Sequence, residues 1–259
     1  KSADPNKTEA ITLEQSKLTL SKDITVLSFS DSSMVDRNSS IIKVDSGWIV
    51  YSKNSESSIL SFTSDGQFSG YIGHRGNGPG EYTSVYDVVV NQKSKVLEVL
   101  SDGGIFCYTF GGDFLDKKEV TYPAFSFAID DRQNYWFYVG NNTTYGDAKM
   151  ICTDENIANV AYYLHQKSNM LPMVENNFGR NGEWLTFHES LNHDLYTIEN
   201  GKLDLSYAMD FPNYKLPKKL HELSGMEVIE ELQRSNYASI INYLENHDYI
   251  SVSYTHLRA

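Results

Sequence analysis

The sequence predicts an all-β protein built as a β-propeller, and three observations carry that prediction. Apolar residues alternate with a period of two over short segments, the pattern of a pleated strand. Clusters of Gly, Asn, Asp and Ser separate those segments and mark turns. One strand–turn–strand unit then recurs at almost constant spacing.

The strand signals run in order along the chain. Ile41 and Val44 lead into Trp48, Val50 and Tyr51; then come Val88–Val90, Val96–Leu100, Tyr135–Tyr138 and Trp184–Phe187. The repeat appears when SILSFTSDGQFSGYI, GIFCYTFGGDFLDKKEV, KMICTDENIANVAYYL and DLYTIENGKLDLSYAM are aligned. Their first apolar residues, Ile59, Ile105, Met150 and Leu195, are 46, 45 and 45 residues apart. In three of the four, a glycine follows at the turn: Gly66, Gly112 and Gly201. A sandwich also has short strands, but it does not repeat one unit every 45 residues, whereas a propeller does. A blade packs both of its faces on neighbouring blades, which explains runs apolar on both sides such as Tyr135–Val139.

These signals place a flexible stem at 1–17 and propeller at 18–211, with repeats near 40–73, 83–120, 124–164 and 176–211. A helical insertion is expected at 212–248. There Ser224–Glu227 reads as a capping box, and Val228, Ile229, Leu232, Ile240, Ile241 and Leu244 recur at roughly helical spacing. Residues 249–259 read as the start of a further blade followed by a tail that resembles appended, non-native sequence; a short native tail is the alternative. The polar start, KSADPNKTEA, suits a tether, a frayed end, or the remainder after removal of a signal peptide.

The second unit, Gly70 to Leu115, resembles an NHL-type propeller repeat. Its Gly76-Asn77-Gly78-Pro79-Gly80-Glu81-Tyr82 stretch precedes Val88–Val90, a second strand ending at Asp102, and a hairpin from Ile105 to Phe114. The GNGPGEY segment is similar to six-bladed propeller proteins of Bacteroidota, many of them surface lipoproteins. Ser84-Val85 stand where NHL repeats usually carry a proline. The resemblance covers about residues 40 to 211 and implies six blades, export to the periplasm or outer-membrane surface, and a lipid anchor on a removed N-terminus. Four units of 45 residues fill about 180 positions and a six-membered ring needs about 270, so an open arc with an uncovered blade face is expected.

Glycines that permit φ > 0 and a proline with fixed φ suit a tight crossover between blades. The same loop could instead present His74, Arg75, Asn77, Glu81 and Tyr82 to a ligand, since propeller loops carry sites. It lacks the Lys-Ser/Thr of a phosphate-binding P-loop. His188, Glu189 and His193 are spaced H-E-x-x-x-H, one residue too long for two ligands on one helical face, and read as a turn. Cys107 and Cys152 hold equivalent positions in adjacent units, too far apart for a disulfide, and are expected to be reduced and buried.

Charge excludes some partners. The chain of 259 residues has 22 Lys+Arg against 34 Asp+Glu, a net charge of −12, which disfavours nucleic acid and anionic lipid surfaces. No apolar run reaches the length of a membrane-spanning helix. The family resemblance implies a non-catalytic binding or scaffold propeller of the bacterial cell envelope, with a glycan, peptide or protein ligand, and no cofactor is expected. The enzymatic alternative is a metal-dependent hydrolase or lyase with Asp87, Asp130 and Asp131 lining a central channel; its calcium follows from resemblance to gluconolactonase-like propellers. In that region, Asp130-Asp131-Arg132-Gln133-Asn134 also reads as a plain turn. A third alternative is an inactive fragment.

Overall fold

A computed structural model describes residues 24–29, 39–53, 58–140, 146–165, 176–217, 219–223 and 225–257. The expected stem at 1–17 and Ser224 of the expected capping box lie outside the described residues.

Four antiparallel four-stranded sheets follow one another along the chain, each a simple meander. Blade 1 holds β1 (Ser40–Val44), β2 (Gly47–Tyr51), β3 (Ile59–Thr63) and β4 (Phe68–Ile72). Two short strands, β5 (His74–Arg75) and β6 (Glu81–Tyr82), lie in the crossover to blade 2. Blade 2 comprises β7 (Asp87–Asn91), β8 (Val96–Ser101), β9 (Gly104–Tyr108) and β10 (Phe114–Glu119). Blade 3 has β11 (Ser126–Ile129), β12 (Tyr135–Tyr138), β13 (Ala148–Thr153) and β14 (Ala161–His165). Blade 4 has β15 (Phe178–Asn181), β16 (Trp184–His188), β17 (Asp194–Glu199) and β18 (Lys202–Ala208). The first strands lie side by side, with β11 touching both β7 and β15. This is an all-β, four-bladed propeller arrangement.

The repeated residues of the sequence are the centre of the packing. Ile59, Ile105, Met150 and Leu195 all sit on the third strand of their blades and are fully buried. The glycines after them hold left-handed backbone at the turn to the fourth strand, with φ of 88° at Gly66 and 98° at Gly112. Blade 3 has no glycine there. Asp154 organises the turn instead, accepting hydrogen bonds from the backbone N–H of Asn156 (3.0 Å) and Ala158 (2.9 Å). Those bonds hold its carboxyl below the usual range.

Core clusters tie the blades in chain order. Ile49, Tyr51 and Ile59 of blade 1 pack on Val88, Val99 and Tyr108 of blade 2. Leu100 and Cys107 pack on Phe127 and Phe137, and Trp136 and Tyr138 on Leu185 and Phe187. All four residues of β12 are buried, so this strand is apolar on both faces because both faces are covered. The face of blade 1 turned away from blade 2 is not bare as the open arc predicted. Leu27 packs against Val50, Leu60 and Phe62, and the Phe29 ring stands edge-on to Phe62 at 5.0 Å.

The region after blade 4 corrects the expectation of a helical insertion over 212–248. Among its described residues only α1 (Met226–Arg234) is an α-helix, preceded by a 3-10 turn at Leu220–Glu222. Gly225 caps α1 without a side-chain hydrogen bond. Ile240, Ile241 and Leu244 instead belong to β19 (Tyr237–Glu245), which pairs with β20 (Ile250–Leu257) as a two-stranded sheet. A bulge between Ile240 and Asn242 shifts the alternation by one residue, and that hid the period of two. The tail residues Tyr254–Leu257 continue β20. The hairpin packs on blade 4, Ala238, Ile240 and Tyr243 meeting Leu195 and Phe211. The short helix buries Val228 against Leu191, at the turn after β16.

Candidate functional site

The loop from Gly73 to Tyr86 joins the last strand of blade 1 to the first of blade 2, and its geometry is fixed from within. His74 pairs with Glu81, and Arg75 with Tyr82, as a short parallel bridge. The Glu81 carboxylate folds back to accept the Gly78 N–H at 2.8 Å. A Cβ on Gly76 would stand 1.9 Å from that carboxylate, so any larger residue there would displace the Glu81 side chain from the Gly78 N–H. Tyr108 donates its hydroxyl to the Gly80 carbonyl at 2.8 Å and anchors the far side of the loop to the core.

The five residues expected at a ligand mouth therefore share one loop but divide into two groups. His74, Arg75 and Asn77 are exposed. Glu81 is half-buried and spends an oxygen on the loop itself. Tyr82 is 1% exposed, and its hydroxyl donates to the Ile72 carbonyl at 3.2 Å. Burial pushes that phenol up. Tyr82 is a core residue, which corrects its placement at the mouth: an aromatic ring beside the Tyr108 ring gains more by filling the core than by facing water.

The carboxylates proposed for a channel do not converge. Asp87 opens β7, at the rim where the first strands begin, while Asp130 follows the end of β11 at the opposite rim. Asp87 is buried and joins three blades. It forms an ion pair with Lys53 of blade 1 (2.9 Å) and accepts the Tyr51 hydroxyl (3.3 Å). Its other oxygen accepts the backbone N–H of Phe127 in blade 3 (3.1 Å). Burial and the Asp87 charge push the Tyr51 phenol well up. Asp130 accepts the N–H groups of Arg132 (2.9 Å) and Asn134 (2.8 Å) and the indole N–H of Trp136 (3.0 Å). It is the organiser of a turn, and Asp131 beside it is exposed. Among the described residues no group of three His, Cys, Asp or Glu side chains is placed to hold a metal ion.

Other buried charges act as ties between blades, and the sequence reading passed over most of them. Glu98 of β8 is 2% exposed and accepts the Tyr135 hydroxyl of blade 3 (2.8 Å) and the Asn91 amide (3.0 Å). Glu189, after β16, accepts from Lys149 (3.0 Å) and Tyr138 (2.7 Å) of blade 3 and from Asn192 (3.2 Å). A signal was present: Glu98 interrupts VLEVL and Lys149 interrupts AKMIC. A charge inside an otherwise apolar strand is retained only where a partner faces it.

The spacing of His188, Glu189 and His193 produces three separate roles. His193 uses Nε2 on the Ala238 carbonyl (3.0 Å) and stacks edge-on to Phe211, holding the hairpin. His188 is 1% exposed, and neither ring nitrogen has a hydrogen-bond partner. Burial lowers its pKa to about 4, so the imidazole is neutral at pH 7. Cys107 and Cys152 are free, buried thiols, both pushed up to about 12 by burial.

The profile described as "Domain of unknown function (DUF4934)" matches residues 6–258. The chain belongs to the DUF4934 family. No curated protein matches it by sequence. A solved structure of an inferred exported protein from Bacteroides fragilis NCTC 9343 superposes with a TM-score of 0.75 at 16% identity, over 90% of this chain and 69% of that one. A member of the DUF4221 family from Bacteroides vulgatus ATCC 8482 superposes with a TM-score of 0.52 at 11% identity, over 84% of this chain and 70% of that one. At such identities the likeness concerns the fold. Among the described residues no helix is long and apolar enough to cross a membrane.

Proposed function

We propose that this DUF4934 chain is a non-catalytic binding or scaffold propeller of the bacterial cell envelope, recognising a glycan, peptide or protein through the blade 1–blade 2 loop. The observation that carries the reading is how the buried carboxylates are used. Asp87, Glu98, Asp130 and Glu189 each hold neighbouring strands or turns together, and each already has donors on its oxygens. A carboxylate committed to structure is a poor general base or metal ligand. The loop offers the converse: exposed His74, Arg75 and Asn77 on a backbone locked by Glu81, Gly76 and Tyr108. Rigid presentation lowers the ordering cost of binding.

The finer reading is a six-bladed, NHL-like propeller, exported and held at the periplasmic or outer-membrane surface by a lipid anchor. It is supported by the motif order of the second unit and by the exported character inferred for the Bacteroides fragilis neighbour. A glycan and peptide array probed with the whole chain tests the binding role. The paired substitutions His74→Ala and Asn77→Ala should weaken a hit by about tenfold or more while leaving the melting temperature unchanged. Binding untouched by both substitutions removes the loop from the reading. Calcium titration tests the enzymatic alternative: a calcium-dependent rise in melting temperature together with hydrolysis of a lactone or ester would replace the binding role.

A further inference from the structure

The Gly73–Tyr86 loop carries an aromatic side chain from another part of the chain. Phe114, the first residue of β10, lies against Gly80, where an added Cβ would stand 2.6 Å from the Phe114 ring. Gly80 holds φ of 74°, so glycine gives the loop both this turn and its close approach to the ring. The buried rings of Tyr108 and Phe106 brace Phe114, with centroids 5.8 and 6.5 Å away. Even so, 41% of Phe114 stays exposed, and 51% of Leu115 next to it. Two polar side chains that flank Gly80 have capacity to spare. Asn77 is exposed, and its amide has no hydrogen-bond partner among the described residues. Glu81 gives Oε2 to the Gly78 N–H at 2.8 Å and keeps Oε1 without a donor among the described residues.

Resting on the reading of this loop as a ligand mouth, we propose that its ligand is a glycan: a neutral pyranose unit covers the exposed part of Phe114 and bonds Asn77 and Glu81 through its hydroxyls. A pyranose has an apolar face of polarised C–H groups, which the negative face of an aromatic ring attracts. Its hydroxyls need donors and acceptors once water is displaced. Phe114 serves the first need; the Asn77 amide and the Glu81 oxygen serve the second. A peptide fits less well. Capture of an extended chain uses an open strand edge. β10, the outer strand beside the loop, breaks register after Phe114 and carries Asp116, Lys117, Lys118 and Glu119, which guard its edge. Charge selects a neutral unit, because an acidic sugar would meet Glu81 and the exposed Asp113 on a chain of −12. The contacts of Gly80, Tyr108 and Phe106 fix the ring relative to the loop before any ligand arrives, which lowers the ordering cost.

Calorimetric titration of the whole chain with maltose, cellobiose, lactose and mannobiose, beside the peptide array, tests the proposal. At least one of the sugars should bind. Phe114→Leu keeps apolar bulk against Gly80 but has no ring face, and should weaken that binding by about tenfold or more. Phe114→Trp should retain or tighten it, and melting temperatures of both variants report whether the fold is intact. Binding of none of the four sugars, with a peptide hit that His74→Ala or Asn77→Ala abolishes, would keep the loop as the mouth and overturn the glycan. A sugar held equally well by Phe114→Leu, yet lost in Asn77→Ala, would overturn the part given to the ring. A sugar indifferent to Phe114, His74 and Asn77 alike would overturn this proposal and the loop reading together.

Discussion

At the junction of blades 3 and 4 the buried Glu189 carboxylate collects three donors, whereas one residue earlier in the chain the buried His188 ring collects none. The two side chains point to opposite sides of blade 4. Glu189 reaches back to Tyr138 and Lys149, while Thr186, on the same face of β16 as His188, donates to the Tyr243 carbonyl of the hairpin at 2.8 Å. Register makes the contrast sharper. Tyr51, Tyr138 and His188 all stand opposite the residue that opens or precedes their blade's first strand. Tyr51 uses its hydroxyl on Asp87 of blade 2, and Tyr138 uses its own on Glu189 of blade 4. In blade 4 the same position meets a two-stranded sheet, and its polar group stays unmatched. At the junctions between complete blades Tyr51 and Tyr138 find carboxylates; at the junction to the hairpin Thr186 and His193 meet backbone carbonyls, and the His188 ring stays unmatched.

The largest effect should come from breaking the satisfied junction. Lys149 is 2% exposed, and Glu189→Ala would leave its ammonium buried without its counter-charge. Removing one partner of a buried pair typically costs about 3–5 kcal/mol. Urea unfolding should show that loss, and the double variant Lys149→Met with Glu189→Leu should recover most of it. Equal loss in both variants would mean that the charge pair is not what holds these blades.

The unmatched junction makes a prediction in pH. His188 is held to about 4 in the folded chain, against about 6.5 for a free histidine. Above pH 6.5 both states are neutral and the contribution is constant. As pH falls from 6.5 toward 4, the unfolded chain takes up a proton that the folded chain refuses, so stability declines, by at most about 3 kcal/mol. His188→Phe should remove that slope and, by deleting two unsatisfied buried nitrogens, raise stability at pH 7 by about 1 kcal/mol. Unfolding midpoints for the native chain and the variant between pH 7 and 4.5 decide it; parallel curves would show that His188 is not the titrating group.

Between these extremes stands Asp87, whose carboxylate serves three blades at once. Asp87→Asn keeps the shape but removes the charge that Lys53 faces at 2.9 Å, and charged hydrogen bonds of this kind are worth about 2 kcal/mol. Differential scanning calorimetry should register the loss, with normal function of the Gly73–Tyr86 loop retained if the ligand site lies there.

These junctions also explain what could be read without coordinates. The 45-residue period was legible because every third strand carries a buried apolar residue within its first three positions, and glycine marks the turn after three of them. The fourth turn escaped because Asp154 does by hydrogen bonding what glycine does by conformational freedom. β19 was read as helix because its bulge broke the alternation, leaving Ile240, Ile241 and Leu244 at a spacing that suits either element. The candidate loop was legible from GNGPGEY, yet which of its side chains face water was not. That depended on Glu81 turning toward Gly78 and on Tyr82 finding the Ile72 carbonyl, contacts made only once blades 1 and 2 are side by side.

The opposite rim offers the control for the buried ties. There Asp45, in the β1–β2 turn, meets Lys95, in the β7–β8 turn, at 3.0 Å, again joining neighbouring blades. The distance matches that of Lys149 to Glu189, but the side chains are 53% exposed for Lys95 and 78% for Asp45. Water already solvates both charges, so nothing is left stranded when one is removed. Asp45→Asn should therefore change unfolding free energy by less than about 0.5 kcal/mol, and what change there is should vanish in high salt. A loss comparable to that of Glu189→Ala would mean that contact distance, rather than exclusion of water, sets the strength of these inter-blade ties.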